Sequence, residues 1–488
     1  MLFNSYPFIF FFLPVVLAVF YFFGGLGHRR AALVSLTLAS LFFYGWWNPK
    51  YLLLIVGSMV FNFAAGWYLG ERSGKAGSKL VLAAAVGVNL LVIGYYKYAV
   101  FVVGSLGSVF GTGWSLGQII LPLGISFFTF QQIAYVVDAY HGKTKEHDFV
   151  DYSLFVTFFP QLIAGPIVHH QHVLPQFKAE GVFRFQADNV AIGVTYFVMG
   201  LFKKVVLADG VARFASPVFA AAAEGSVGFW SSWQGVLAYS LQIYFDFSGY
   251  SDMAVGLGRM FNIKLPQNFN SPYQAVSMID FWRRWHMTLS AFLRDYLYIP
   301  LGGNRLGELR RYVNVFVTML LGGIWHGAGW QFILWGAIHG MGIVINHLWV
   351  DLSRKRGLRW PTGLTGRVAA QGLTLLTVIL AWVFFRAENV SAAWRIFEGM
   401  FSWKQALSFG DEGVMALARP CLWLVTLSAV VLFFPNTRQL MEPEEKESQM
   451  LRWFYWRPGA AWALATAVAF VVVLLHFSKV SEFLYFQF

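Results

Sequence analysis

The run 320-LLGGIWHGAGWQFILWG-336 sets one ionisable side chain, His326, among apolar and small residues. A neutral imidazole, with an ordinary pKa of about 6.5, can take a proton from a hydroxyl and return it to a leaving group. That chemistry needs neither a metal nor a cysteine. Acyl transfer from a thioester to an alcohol fits it, provided a second polar group stands near the oxyanion or the nucleophile. His286, in the polar stretch 276-VSMIDFWRRWHMTLSAFLRDYLYI-299, is the candidate for that second group. Position alone leaves His326 open to two readings, a reactive group or a structural histidine bonded to a backbone carbonyl.

The acids of 243-IYFDFSGYSDMAVG-256 are weaker candidates. Asp246 and Asp252 are six residues apart, about 240° around a helix, so they share no face. The paired carboxylates of a retaining glycosidase find no support here. With Ser248, Asp295 and Asn304 they are read as a polar core network. The alternative for the two acids is that they cap broken helices or pair with basic residues downstream. The cluster 169-HHQH-172 invites a metal reading, but no second cluster completes a four-ligand set, and no metal is expected. His339 and His347 fit interhelical hydrogen bonds, and His476 carries no signal. Cys421, the single cysteine, excludes an internal disulfide and a cysteine metal site, and its apolar run suggests a buried, inert thiol.

These groups must be positioned inside a bilayer. Of 488 residues, 57% are hydrophobic and 12% charged, against about 25% charged in soluble proteins. The chain is expected to be an all-α polytopic membrane protein, one membrane domain over residues 1–488. Spans of about 20 apolar residues are expected near 6–24, 31–47, 50–70, 80–103, 117–140, 149–168, 189–208, 231–257, 312–350 (a pair), 367–385, 415–434 and 460–478. The N-terminal run lacks a basic n-region and a small-residue cleavage site, so it reads as a retained span. Loops 25–30, 71–79, 353–367 and 436–458 carry Lys and Arg and go to the cytoplasmic side, which leaves 386–414 outside. The net charge of +12 is that inside bias, or a basic mouth for a phosphate-bearing ligand. Basic residues dispersed between apolar spans exclude nucleic acid as a partner. A helix starting at Tyr312 carries His326 about 21 Å along its axis, deep in the bilayer. The stretch 258–311 is too polar to cross. Within it, positions 281, 285, 289, 292 and 293 predict one helical stripe, lying on the membrane or lining a polar funnel.

The sequence resembles the membrane-bound O-acyltransferase family, in its bacterial alginate O-acetyltransferase branch. The resemblance rests on 122-PLGISFFTFQQIAYVVDAY-140, 159-FPQLIAGPIV-168, 243-IYFDFSGYSDMAVGLG-258, 280-DFWRRWHMTLSAFLRDYLYIPLGGNR-305, 319-MLLGGIWHGAGW-330 and the C-terminal FLYFQF. It implies a ring of helices around a central funnel or tunnel, with roughly 11–12 spans plus interfacial helices. It also implies that His326 is the catalytic histidine and His286 its companion. The implied reaction moves acetyl from a cytosolic donor, acetyl-CoA, to an extracytoplasmic polysaccharide such as alginate, cellulose or peptidoglycan, with no bound cofactor. The implied partners are a periplasmic SGNH-type protein and an exopolysaccharide synthesis or secretion complex. Arg283, Arg284, Arg294, Arg305, Arg310 and Arg311 become candidates for the donor's phosphates, or else serve as interfacial anchors and ion-pair partners. One departure is visible: after AGPIV this chain reads HHQHVLPQF where relatives often carry arginine. Two other functions remain on the sequence alone, a proton-coupled transporter and a non-catalytic scaffold.

Overall fold

The computed structural model describes residues 1–75, 77–357, 363–403, 414–442, 454–477 and 484. Their regular structure is helical, with no strand among them. Helices coincide with every expected span, but they differ in what they can do alone. Six are long and apolar enough to cross a membrane: Phe8–Gly25, Tyr51–Glu71, Ser78–Phe110, Ala187–Glu224, Trp330–Arg356 and Leu364–Arg386. Ala418–Phe433 and Ala460–His476 are apolar but shorter. The other expected spans are helical too, but shorter, more polar or broken. Helix Phe229–Met260 has 32 residues but carries Asp246, Ser248, Ser251 and Asp252. Region 117–140 is helical only from Ile125, after Gly124 at φ +68°. Region 149–168 breaks at Phe158, ahead of Pro160. The acidic EPEEKE run lies outside the described residues except for Glu442, as does FLYFQF except for Leu484, and most of 386–414 beyond 403.

The chain divides into two compact units. One holds Met1–Leu201, Tyr250–Pro266 and Pro458–Gln487; the other holds Phe202–Gly249, Gln267–Arg457 and the last residue. In the first, polar side chains link helices where no water is available to them. Asn62 on Tyr51–Glu71 and Asn89 on Ser78–Ile93 exchange amide hydrogen bonds of 3.1 and 2.6 Å. Gln132 donates to Ser58 at 3.0 Å and accepts from the Tyr152 hydroxyl at 3.1 Å. Each bond satisfies a group that hydrocarbon would leave bare.

The second unit is organised by a helical hairpin, Glu308–His326 and Trp330–Arg356, joined by Gly327, Ala328 and Gly329. Its helices meet at glycine. A Cβ on Gly323 would stand 2.9 Å from Gly336 Cα, and one on Gly336 would stand 2.7 Å from the Met319 carbonyl oxygen. Small residues let the two backbones touch, the usual device of membrane helix packing. Gly327 is extended, with φ −165°, so its role is steric: any Cβ there would run into the Phe332 ring. Cys421 corrects an expectation. It is exposed, beside the equally exposed Leu422 and Val425, because an apolar residue on a bilayer-facing surface need not be inside the protein.

Candidate active site

His326 is the last residue of its helix, about 27 Å from the helix start at 1.5 Å per residue, and is 4% exposed. Three rings enclose it edge-to-face: Trp325 at 4.8 Å, Trp335 at 4.8 Å and Phe385 at 5.1 Å between centroids. Trp335 continues the aromatic wall to Trp382 at 6.0 Å and to His339 at 4.6 Å. His339 accepts a hydrogen bond of 3.2 Å from the Trp282 indole N–H, so the interhelical bond expected of it is present. The indole N–H of Trp335 is buried with no hydrogen-bond partner, a costly state unless something else occupies its direction.

His286 approaches the Trp325 ring, one of the three around His326, from another element at 6.3 Å. It is fully buried, 4.7 Å from the Phe247 ring. The single helix expected over 276–299 is not formed. Helices Met278–Trp282 and Met287–Leu293 flank His286, whose backbone is left-handed at φ +43°. Periodicity failed because a distant residue intervenes. Asn268 takes the Met287 N–H on its carbonyl at 3.0 Å, and its side-chain oxygen accepts from Thr288 N at 3.2 Å and Thr288 Oγ1 at 2.9 Å. These bonds hold a conformation that costs a non-glycine residue roughly 1–3 kcal/mol. The stripe itself is real: Phe281, Trp285, Leu289, Phe292 and Leu293 are all buried.

The clamp also fixes the tautomer of His286. Asn268 Oδ1 already accepts two hydrogen bonds, so the His286 Nδ1 3.1 Å away must be the protonated nitrogen, and Nε2 carries the lone pair. Burial pushes this imidazole down to about 3, so it stays neutral.

The other predicted residues separate into groups. Asp246 is buried and paired with Lys204. Lys204 Nζ, 2% exposed, lies 2.8 Å from both Asp246 Oδ1 and Asp209 Oδ1. Sequence reasoning passed over Lys204, although a lysine inside an apolar run is itself the signal. Ser248 is buried in the same unit, and Asp252 is buried in the other. The core reading fails for Asp295 and Asn304, which are exposed on the turn-rich stretch 294–306. Asp295 holds the neighbouring Arg294 through bonds of 2.7 and 2.9 Å. Arg284 pairs with Asp280 at 2.8 Å, and Arg311 with Asp351. Arg283, Arg305 and Arg310 are exposed, and no ion pair holds them among the described residues.

The described residues form a helical, polytopic chain with a ring-enclosed histidine in one of its units, and comparison with known proteins shows its class. Residues 143–363 match the family model described as MBOAT, membrane-bound O-acyltransferase family. A peptidoglycan O-acetyltransferase of Helicobacter pylori is 40% identical over all of this chain and 98% of its own length. A protein of Pseudomonas aeruginosa named "Probable alginate O-acetylase AlgI" is 44% identical over 89% of this chain and 80% of its own. A teichoic acid D-alanyltransferase of Streptococcus thermophilus is 30% identical over 54% of this chain and 68% of its own. The chain belongs to the membrane-bound O-acyltransferase family and is an acyltransferase.

Proposed function

We propose that the protein is an inner-membrane O-acetyltransferase. It takes acetyl from acetyl-CoA on the cytosolic side and passes it towards the hydroxyls of an extracytoplasmic polysaccharide. The observation that carries this reading is the ring-enclosed, nearly buried imidazole of His326 at the glycine turn of its hairpin. His326 removes the proton of the acceptor hydroxyl as that oxygen attacks the thioester carbonyl. The tetrahedral intermediate then collapses, the C–S bond breaks, and the imidazolium returns the proton to the departing thiolate. The Trp335 N–H is the proposed oxyanion donor, because it is buried, unpaired and on a ring in contact with His326. His286 presents a lone pair at Nε2, which suits the nucleophile's side of the reaction.

Arg283, Arg305 and Arg310 are the arginines best placed to take the donor's phosphates, since acids already hold Arg284, Arg294 and Arg311. The polymer is drawn from the class that the relatives' names supply, peptidoglycan or alginate, with cellulose as a further member. The immediate acceptor in this scheme is a serine of a periplasmic SGNH-type partner, within an exopolysaccharide-modifying complex. Proteoliposomes supplied with labelled acetyl-CoA test the reading. Label should move to a soluble acceptor and should stop moving in His326→Ala. Transfer at the wild-type rate by that variant would defeat the assignment, and proton-coupled solute flux without transfer would make the protein a transporter.

A further inference from the structure

A second histidine cluster lies in the other compact unit and has no part in the chemistry above. His169 and His170 open the helix His170–Lys178, and Asp138 stands near the end of the helix Ile125–Tyr140. His169 Nε2 is 2.7 Å from Asp138 Oδ2, and His170 Nδ1 is 3.8 Å from the same oxygen. One ligand atom from each of the three residues lies within 4.8 Å of the other two. The Asp138 side chain is fully buried and His170 is 1% exposed. Neither nitrogen of His170 has a hydrogen-bond partner. Rings of Tyr135, Phe155 and His169 surround it. A buried imidazole beside a carboxylate, with neither nitrogen hydrogen-bonded among the described residues, is a donor set that a cation would satisfy.

We propose that Asp138, His169 and His170 bind one divalent transition-metal ion, zinc by the chemistry of the donors. Two imidazoles and one carboxylate are donors that zinc takes at about 2.0–2.2 Å, which places ligand atoms around a tetrahedral ion roughly 3.4 Å apart. The separations of 2.7 and 3.8 Å bracket that value. Water, or the exposed His172 whose ring is 5.9 Å from that of His169, completes the fourth position. Three of the local contacts described must yield, and the first is that 2.7 Å contact: with Nδ1 accepting from Gln171, His169 Nε2–H donates to Asp138 Oδ2, and the ion replaces that proton. Lys143 Nζ, 3.3 Å from Asp138 Oδ1, balances the carboxylate, and at 58% exposure its side chain has room to swing away. The Gln171 N–H donates to His169 Nδ1 at 3.3 Å. When the ion binds Nε2, the ring proton sits on Nδ1 and that long bond is lost. The bound ion ties the end of one helix to the start of another and closes residues 139–168 into a loop.

The test uses the full chain in detergent, stripped with a chelator and titrated with Zn²⁺ or Co²⁺ alone. One equivalent should bind, Co²⁺ should show the intense visible absorption of a four-coordinate ion, and Zn²⁺ should raise the melting temperature. Asp138→Asn and His170→Ala should each weaken binding beyond the ~10–100-fold that loss of an outer-shell partner causes. Because both positions are buried, His169→Ala at the partly exposed ligand gives a third variant, and a monodisperse gel-filtration peak shows that each is folded. Lys143→Gln should tighten binding. Absence of stoichiometric binding in the wild type, or equal binding by a folded His169→Ala, would overturn the proposal.

Discussion

His326 and His286 are surrounded by rings, and His170, though it too packs against Tyr135 and Phe155, stands with His169 around the carboxylate of Asp138. The two arrangements ask different things of the same side chain. Aromatic edges and faces exclude water and offer no full negative charge, and burial keeps the imidazole of His286 neutral with a lone pair for a proton. A buried carboxylate favours a cation nearby, whether a lysine, a proton or a metal ion. Histidine count alone is therefore a poor guide to chemistry in this chain. The neighbours decide whether the ring exchanges protons or holds a charge.

The largest effect expected from breaking this contrast is at His326. His326→Ala should lower kcat about 10²–10⁴-fold with little change in melting temperature, measured by acyl transfer in proteoliposomes. Lys204 tests the cost of an unbalanced carboxylate within the ring-rich unit. Lys204→Met leaves Asp246 buried with its main cation gone and should cost about 3–5 kcal/mol. Detergent melts would show it, and the double variant with Asp246→Leu should recover much of the loss. Trp335→Phe keeps a ring beside His326 and deletes the N–H. If that donor serves the oxyanion, kcat should fall roughly 10²–10³-fold with KM nearly constant. An unchanged kcat would reduce the wall to packing.

The most gradual effect, and the smallest per step, is in pH. The unfolded chain protonates His286 near its ordinary value of about 6.5, while the folded protein holds it neutral down to about 3. Between those values the unfolded state binds more protons, so stability rises with pH by up to ~1.4 kcal/mol per unit. Stability is lost as pH falls below 6.5, and His286→Gln should flatten that part of the profile in melts run across the range.

His326 could be singled out as a candidate from the sequence because its signal is local. One imidazole within 319-MLLGGIWHGAGW-330 is conspicuous, and the glycines that let the hairpin close are adjacent to it. The spans were legible for the same reason, as apolar length. What escaped was non-local. The break at His286 depends on Asn268, eighteen residues upstream. Asp138 joins His169 and His170 only after the chain folds back, so HHQH looked short of ligands. The partner of Asp246 is Lys204, upstream and in a different helix, where a search downstream could not find it. Asp295 and Asn304 share a motif with His286 but not its burial, because motif membership does not say which side of a turn faces inward.

The paired amides of Asn62 and Asn89 have a consequence for biogenesis. An asparagine handed singly from the insertion machinery into lipid is penalised until it finds a partner. Here the partner is on the very next helix, only residues 72–77 away. The two segments can therefore leave the translocon as a closed hairpin, their polar atoms matched before the rest of the polypeptide has been synthesised.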